Sequence, residues 1–259
     1  MHDISLLTLL LLCLAAAAAG WIDAVVGGGG LLQLPALLVG LPHMAAAHAL
    51  GTNKAVSIVG TAAAAVTYTR KAPVDVRTAI RIGLAAIVGS LGGAFFAAGI
   101  NSDVLRPLIM VILLVVLAFV LLRPTFGAVS GTGPVTRRRV LVAILVAGLG
   151  LGFYDGLIGP GTGTFLVIAF AAILHMDLVT ASATTKVVNT CTNLGALITF
   201  SAQGQVLWSI AAPMALFNLG GGMLGAHMAL KRGSGFVRVV LVVVVVTLVC
   251  KLGYDEWVA

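Results

Sequence analysis

Long apolar runs separated by short polar breaks fill this chain from end to end. Runs long enough to cross about 30 Å of hydrocarbon at 1.5 Å per residue lie near 4–26, 45–69, 77–99, 104–122, 138–158, 177–201, 206–230 and 236–253. Two shorter apolar runs, 31–42 and 164–175, each follow a glycine-rich break. At about 12 residues they are too short for a comfortable span. The pattern predicts half-helices or short packed helices there, tolerated in a membrane when protein covers the freed backbone groups.

The polar residues inside these runs recur. A shift of 132 aligns residues 20–109 with 152–241 without a gap, matching Gly20 with Gly152, Asp23 with Asp155 and Gly27 with Gly159. It also matches His43 with His175, Thr52 with Thr184, Lys54 with Lys186, Gly89 with Gly221 and Gly93 with Gly225. Two copies of one polar, glycine-broken membrane segment are the signature of a secondary transporter. The expected fold is therefore an all-α polytopic membrane protein. It is built from two repeats of about five membrane elements, four long helices and one short or broken one. Residues 1–122 form the first repeat, 123–137 a cytoplasmic linker and 138–259 the second repeat.

Charge placement predicts how the repeats are oriented. Arg70, Lys71, Arg77 and Arg81, then Arg123 and Arg137–Arg139, then Lys231, Arg232 and Arg238 mark the basic loops. The weakly charged segments are 99–106, 201–206 and the tail with Asp255 and Glu256. Basic loops stay in the cytoplasm, so loop 70–77 lies inside while its counterpart 202–209 lies outside. The repeats are thus expected to be inverted, with both termini outside and the short runs counting as crossings.

Composition agrees: 60% hydrophobic, 9% charged, mean hydropathy +1.15, a membrane bundle with no room for a soluble catalytic domain. The net charge of +7 sits in loops and does not point to nucleic acid. The bilayer is the expected environment, homo-oligomerisation is left open, and no cofactor is expected. Cys13, Cys191 and Cys250 lie in apolar runs without metal or disulfide spacing. Residues 4–19 lack the basic flank of a signal peptide and read as a retained first helix.

Two constellations could carry chemistry. In the first, Asp23 precedes Gly27–Gly30, and Asp155 precedes Gly159, Pro160, Gly161, Thr162 and Gly163. A helix starting after such a break points its N–H groups at it, which favours an anion; Gly28, Gly29, Gly161 and Thr162 are the expected contacts, and Gln33 could add a hydrogen bond. Close helix packing through small residues is the alternative. In the second, Thr52, Asn53 and Lys54 match Thr184, Thr185 and Lys186, followed by Asn189 and Asn193. Lys54 lies about 15 Å into its span, where an ionisable residue is costly and usually functional. The lysines either handle an anion or pair structurally with Asp23 and Asp155. The carboxylates either couple transport to protons or hold the lysines charged. Equivalent residues, Lys54 and Lys186, Asp23 and Asp155, are expected near one another. Tyr68, Trp21, Trp208 and Trp257 read as interface aromatics.

At these residues the chain resembles the TauE/SafE family, the sulfite or organosulfonate exporters. The motifs are Gly-Trp-Ile-Asp-x3-Gly-Gly-Gly-Gly at 20–30, Gly-Thr-Asn-Lys at 51–54, Gly-Phe-Tyr-Asp-Gly-x2-Gly-Pro-Gly-Thr-Gly at 152–163 and Thr-Lys-x2-Asn at 185–189. The resemblance covers essentially the whole chain. It implies a multi-pass bacterial inner-membrane transporter moving small sulfur-containing anions such as sulfite or sulfonates, usually outward; proton coupling is the expected drive. Two other classes compete: a channel or accessory subunit without coupled transport, and an intramembrane aspartyl enzyme suggested by Tyr154-Asp155. The enzyme needs two carboxylates sharing a proton, and Asp23 sits in an unsuitable motif.

Overall fold

The computed structural model describes residues 5–122 and 135–257; most of the expected linker, 123–134, lies outside them. The described residues are all-α, with no strand among them. The first repeat contains α1 (Leu6–Val26), α2 (Gly30–Gly40), α3 (Ala46–Thr69), α4 (Val76–Ala98) and α5 (Ser102–Leu122). The second begins with α6 (Arg137–Leu157), α7 (Thr162–Leu174) and α8 (Leu178–Ala202). Continuous helix then runs Trp208–Trp257, but Gly233 at φ 72° and ψ −168° breaks it into α9 (Trp208–Gly233) and α10 (234–257). Each helix start in the second repeat falls within a few residues of its counterpart shifted by 132.

Local chemistry sets the ends. Ser5 accepts from the Thr8 N–H at 3.1 Å to start α1. Asp177 starts α8, its Oδ1 accepting from Val179 and Thr180 N–H at 2.9 and 3.1 Å. Burial acts to raise the Asp177 carboxyl, but those bonds and the Thr180 hydroxyl outweigh it and hold the group below the ordinary carboxyl range. Gly27 ends α1 in the left-handed region at φ 80°. α2 and α7, with 11 and 13 residues, extend about 16 and 20 Å, less than the hydrocarbon thickness. One feature had no signal in the sequence: Ile144–Gly150, inside α6, is a π-helical turn, absent from its partner α1.

The bundle is apolar outside and buries a set of polar groups within its apolar core. α1, α4, α6 and α9 are long and apolar enough to cross a membrane, and they expose Leu10, Leu14, Leu84, Val88, Leu145 and Leu216. In water these faces would be unstable; in lipid they are the expected surface. Lys54, Lys186, Asp155, Gln33, Asn193 and Asn218 are buried instead. The polar helices α3 and α8 occupy the middle, packed on each other. α9 and then α1 cover α3; α4 and then α6 cover α8.

That order reads the same when the repeats are exchanged, and individual contacts repeat with it. A Cβ on Gly225 would meet the Trp21 carbonyl at 2.5 Å, and one on Gly93 would collide with the carbonyl of Phe153, the residue 132 after Trp21. Gly221 faces the Ala17 carbonyl as Gly89 faces that of Leu149, and Gly20 faces Asn218 as Gly152 faces Ala86. The matched glycines therefore serve matched helix crossings, where only a bare backbone fits. Asn193 and Thr61, themselves equivalent, meet at 3.3 Å across the α3–α8 contact.

Tyr68 departs from expectation. It is fully buried, because its hydroxyl donates to the Ala24 carbonyl at 3.0 Å near the end of α1. Trp21 also turns inward to Met228 and Phe236, while Trp208 is exposed.

Candidate functional site

Each lysine meets the aspartate of the opposite repeat. Lys54 Nζ lies 2.7 Å from Asp155 Oδ2, with side-chain exposures of 2% and 3%. Lys186 Nζ lies 2.9 Å from Asp23 Oδ2, with exposures of 0% and 16%. The equivalence of Lys54 with Lys186 and of Asp23 with Asp155 is therefore expressed as two crossed ion pairs, with opposite charges as nearest neighbours. Pairing is what makes burial of four charges tolerable. Lys186 also donates to the Asp23 backbone carbonyl, tying α8 to the last turn of α1.

Between the pairs lies a small polar cavity lined by Asp23, Asp155, Lys54, Asn53, Ser57, Asn189 and Asn193, with Gly27, Gly30, Gly159 and Gly163 supplying bare backbone. Its volume is about 20 Å³, room for about one water molecule. A sulfite-sized anion needs the walls to move apart. One lysine and two aspartates border it, and Lys186, behind the lining, pairs with the second aspartate.

Two of the amides around it accept through their carbonyls. Gln33 Nε2 donates to Asn53 Oδ1 at 2.9 Å, and Thr192 Oγ1 donates to Asn189 Oδ1 at 3.0 Å. With both carbonyls occupied, Asn53 and Asn189 keep their N–H2 groups for the cavity. Gln33 is itself held by Asn218 Nδ2, which donates to Gln33 Oε1 at 2.9 Å and to the Ala16 carbonyl at 2.9 Å. This relay runs on one side only: Gln33 corresponds to Phe165 and Asn218 to Ala86 in the other repeat.

The remaining expected site residues sit elsewhere. Thr52 Oγ1 accepts from the Leu207 N–H at 3.1 Å, at the start of α9. Thr184 donates to its own helix at the Thr180 carbonyl. Thr185 is buried, its hydroxyl without a hydrogen-bond partner. Gly29 packs on α1, where a Cβ would lie 2.5 Å from the Ala19 carbonyl, and Gly28 has ordinary clearance. Gly161, at φ 81°, starts α7, and Thr162 donates to the Gly159 carbonyl at 2.7 Å. Neither borders the cavity.

Asn193, the last member of the second constellation, lines the cavity, while Ser57 and Asn218 join the site without having been among the expected contacts. Their signal was available. Ser57 follows Lys54 by three residues; Asn189 and Asn193 follow Lys186 by three and seven, the spacing of one helix face. Asn218 is an amide midway along an otherwise apolar helix, a position that needs a polar partner.

Comparison with known proteins gives this arrangement its family. The model of the family described as sulfite exporter TauE/SafE matches residues 12–252. The chain is 32% identical over 256 residues to the probable membrane transporter protein ORF9 of a Sinorhizobium species, covering 98% of this chain and 96% of that one. It is 33% identical over 240 residues to the probable membrane transporter protein YfcA of Escherichia coli strain K12, covering 92% and 86%. A probable membrane transporter protein of Haemophilus influenzae is 32% identical over 255 residues, covering 98% of each chain. No solved structure matches. With crossed ion pairs at the centre of a lipid-facing helical bundle, and a family model spanning nearly all of it, the chain belongs to the sulfite exporter TauE/SafE family and is a membrane transporter, not an enzyme.

Proposed function

We propose that this transporter carries small sulfur-containing anions such as sulfite or sulfonates outward across the bacterial inner membrane, coupled to protons. The observation that carries this reading is the cavity beside Lys54, where a cation and the amide donors of Asn53 and Asn189 converge inside an apolar bundle. An anion leaving water must have its hydration replaced by such groups. The family description, a sulfite exporter, supports this chemical class and direction. Lys54 is the proposed charged ligand, with Asn53, Asn189 and the backbone at Gly30 and Gly163 as hydrogen-bonding groups. Flux of labelled sulfite and of methanesulfonate into proteoliposomes tests it. Saturable flux responding to a pH gradient is expected, with affinity about 10- to 150-fold weaker in Lys54→Ala, the worth of one charge-assisted hydrogen bond. Flux that rises linearly with concentration would favour a channel, and no sulfur anion moving would end the substrate assignment.

We further propose that the repeats are inverted across the membrane. What supports this is the direction of the packed helices. Gly51 lies against Gln205 and Gly60 against Gly222, so α9 runs parallel to α3. α4 returns from α3 after only six residues, 70–75, and so runs opposite to α3 and to its own counterpart α9. The basic loops agree with that arrangement. Single-cysteine labelling should find loop 70–75 accessible from the cytoplasm and loop 203–207 from outside; labelling of both from one side would overturn the topology.

A further inference from the structure

We propose that the two ion pairs have different jobs: the anion binds at Lys54 together with one proton taken by Asp155, while Lys186 and Asp23 stay joined as a clamp. This rests on the anion reading given above and adds to it which carboxylate carries the proton.

Symmetry makes the pairs equivalent in sequence, but three observations separate them. The first is exposure to the cavity. Lys54 and Asp155 both line it; Asp23 lines it too, but its partner Lys186 does not. The second is bonding. Lys186 is shared between the Asp23 carboxylate and the Asp23 backbone carbonyl, so releasing it would break two contacts that join α8 to the last turn of α1. Lys54 has one charged partner, Asp155 at 2.7 Å, and is bonded to no backbone carbonyl among the described residues, so this pair can part without touching a helix end. The third is the glycine break beside each pair. Gly159, at φ 93°, lies so near the second pair that a Cβ would be 2.6 Å from Lys54 Nζ and 3.3 Å from Asp155 Oδ1. Its counterpart Gly27 is packed against the backbone of Gly163 instead. One break thus leaves bare backbone over its pair, and the other is closed by a helix crossing.

Charge balance then fixes the partner of the anion. Lys54 and Asp155 together carry no net charge. An anion arriving at Lys54 leaves one uncompensated negative charge in a buried site, close to the Asp155 carboxylate, which is unfavourable. A proton from the solvent on the open side converts Asp155 to a neutral carboxylic acid, removes that repulsion and makes its O–H a donor for the anion. The site then holds Lys54, the anion and neutral Asp155, again with no net charge. When the opposite side opens, the anion leaves and the proton leaves with it, and Lys54 and Asp155 pair again. The charged groups that share the cavity with Asp155 are Lys54 from α3 and Asp23 from α1, and Lys186 of α8 stands behind Asp23; no titratable side chain of α4 or α7 lines it, and Tyr154 on its own helix donates to the Pro160 carbonyl. For a monoanion the cycle is electroneutral. It runs outward whenever accumulation of the anion inside exceeds the opposing proton gradient.

Proton uptake on anion binding tests this in the full-length, detergent-solubilised protein. Methanesulfonate, which keeps a single negative charge near neutral pH, is added in weak buffer with a pH dye. Wild type is expected to take up about one proton per bound anion. Asp155→Asn should bind the anion without proton uptake and with pH-independent affinity, whereas Asp23→Asn should still take up the proton. In proteoliposomes, methanesulfonate flux should generate a membrane potential in Asp155→Asn but not in wild type. Uptake that persists in Asp155→Asn, or is lost in Asp23→Asn, would overturn the assignment. Should Asp155→Asn not fold, Asp155→Glu must keep the uptake, and Asp23→Asn decides on the same terms. Binding without any proton in wild type overturns this inference alone. If neither methanesulfonate nor sulfite binds, the anion reading fails, and this inference fails with it.

Discussion

Lys54→Met is expected to destabilise the folded protein by about 3–5 kcal/mol, because it strands the Asp155 carboxylate inside the bundle without its cation. The double change Lys54→Met with Asp155→Asn should recover most of that loss, since no formal charge then remains unpaired. Transport should be lost in both. Thermal or denaturant unfolding in detergent, run beside the flux assay, separates the two effects. The exposed Lys231 is the control: Lys231→Ala should stay within about 0.5 kcal/mol of wild type and keep its flux. A single variant as stable as wild type would mean that the 2.7 Å contact contributes nothing to folding. A double variant that still transports would mean that Lys54 is a structural cation and that the anion binds elsewhere.

That experiment bears on the feature the sequence left most open. The 132-residue register shows which residues are equivalent, and equivalence alone does not say which residues touch. Lys54 and Lys186 are the same position in two copies, yet each reaches the aspartate of the other copy, because the α3–α8 contact places one repeat's lysine beside the other repeat's glycine break. Helix number, the short α2 and α7 and the glycine crossings were legible, since each follows from length, hydropathy and small residues at fixed spacing. The identity of the polar neighbours was less so. Thr52 and Thr184 stand close to the lysines in sequence, but two residues along a helix is a turn of about 200°, which points them away. Ser57, Asn189 and Asn193, one and two turns on, share the lysine face. The relay from Asn218 through Gln33 to Asn53 was hidden for a different reason. It exists in one half only, so comparing the repeats with each other discards it.

The crossing at the broken helices yields the sharpest contrast between neighbouring positions. Gly27→Ala is expected to destabilise by about 2–5 kcal/mol, while Gly28→Ala, one residue on, should be nearly neutral. At Gly27 the backbone is left-handed, φ 80°, which costs an alanine roughly 1–2 kcal/mol. The added methyl would also run into the backbone of Gly163 and Thr164, and overpacking of this kind costs about 1–3 kcal/mol more. Backbone cannot swing aside as a side chain can, so the two breaks would have to separate. Gly163→Ala meets the same obstacle from the other side, its Cβ lying 2.5 Å from Gly27 Cα, and should behave like Gly27→Ala. At Gly28 the nearest atom to a new Cβ is Ile22 Cγ2 at 3.5 Å, an ordinary contact. Because the Thr164 hydroxyl donates to the Val26 carbonyl at 3.0 Å across the same junction, parting the breaks would also expose that carbonyl. Unfolding and flux measured for the three variants test the junction directly. Equal tolerance of alanine at 27, 28 and 163 would mean that the two breaks do not meet in the folded transporter.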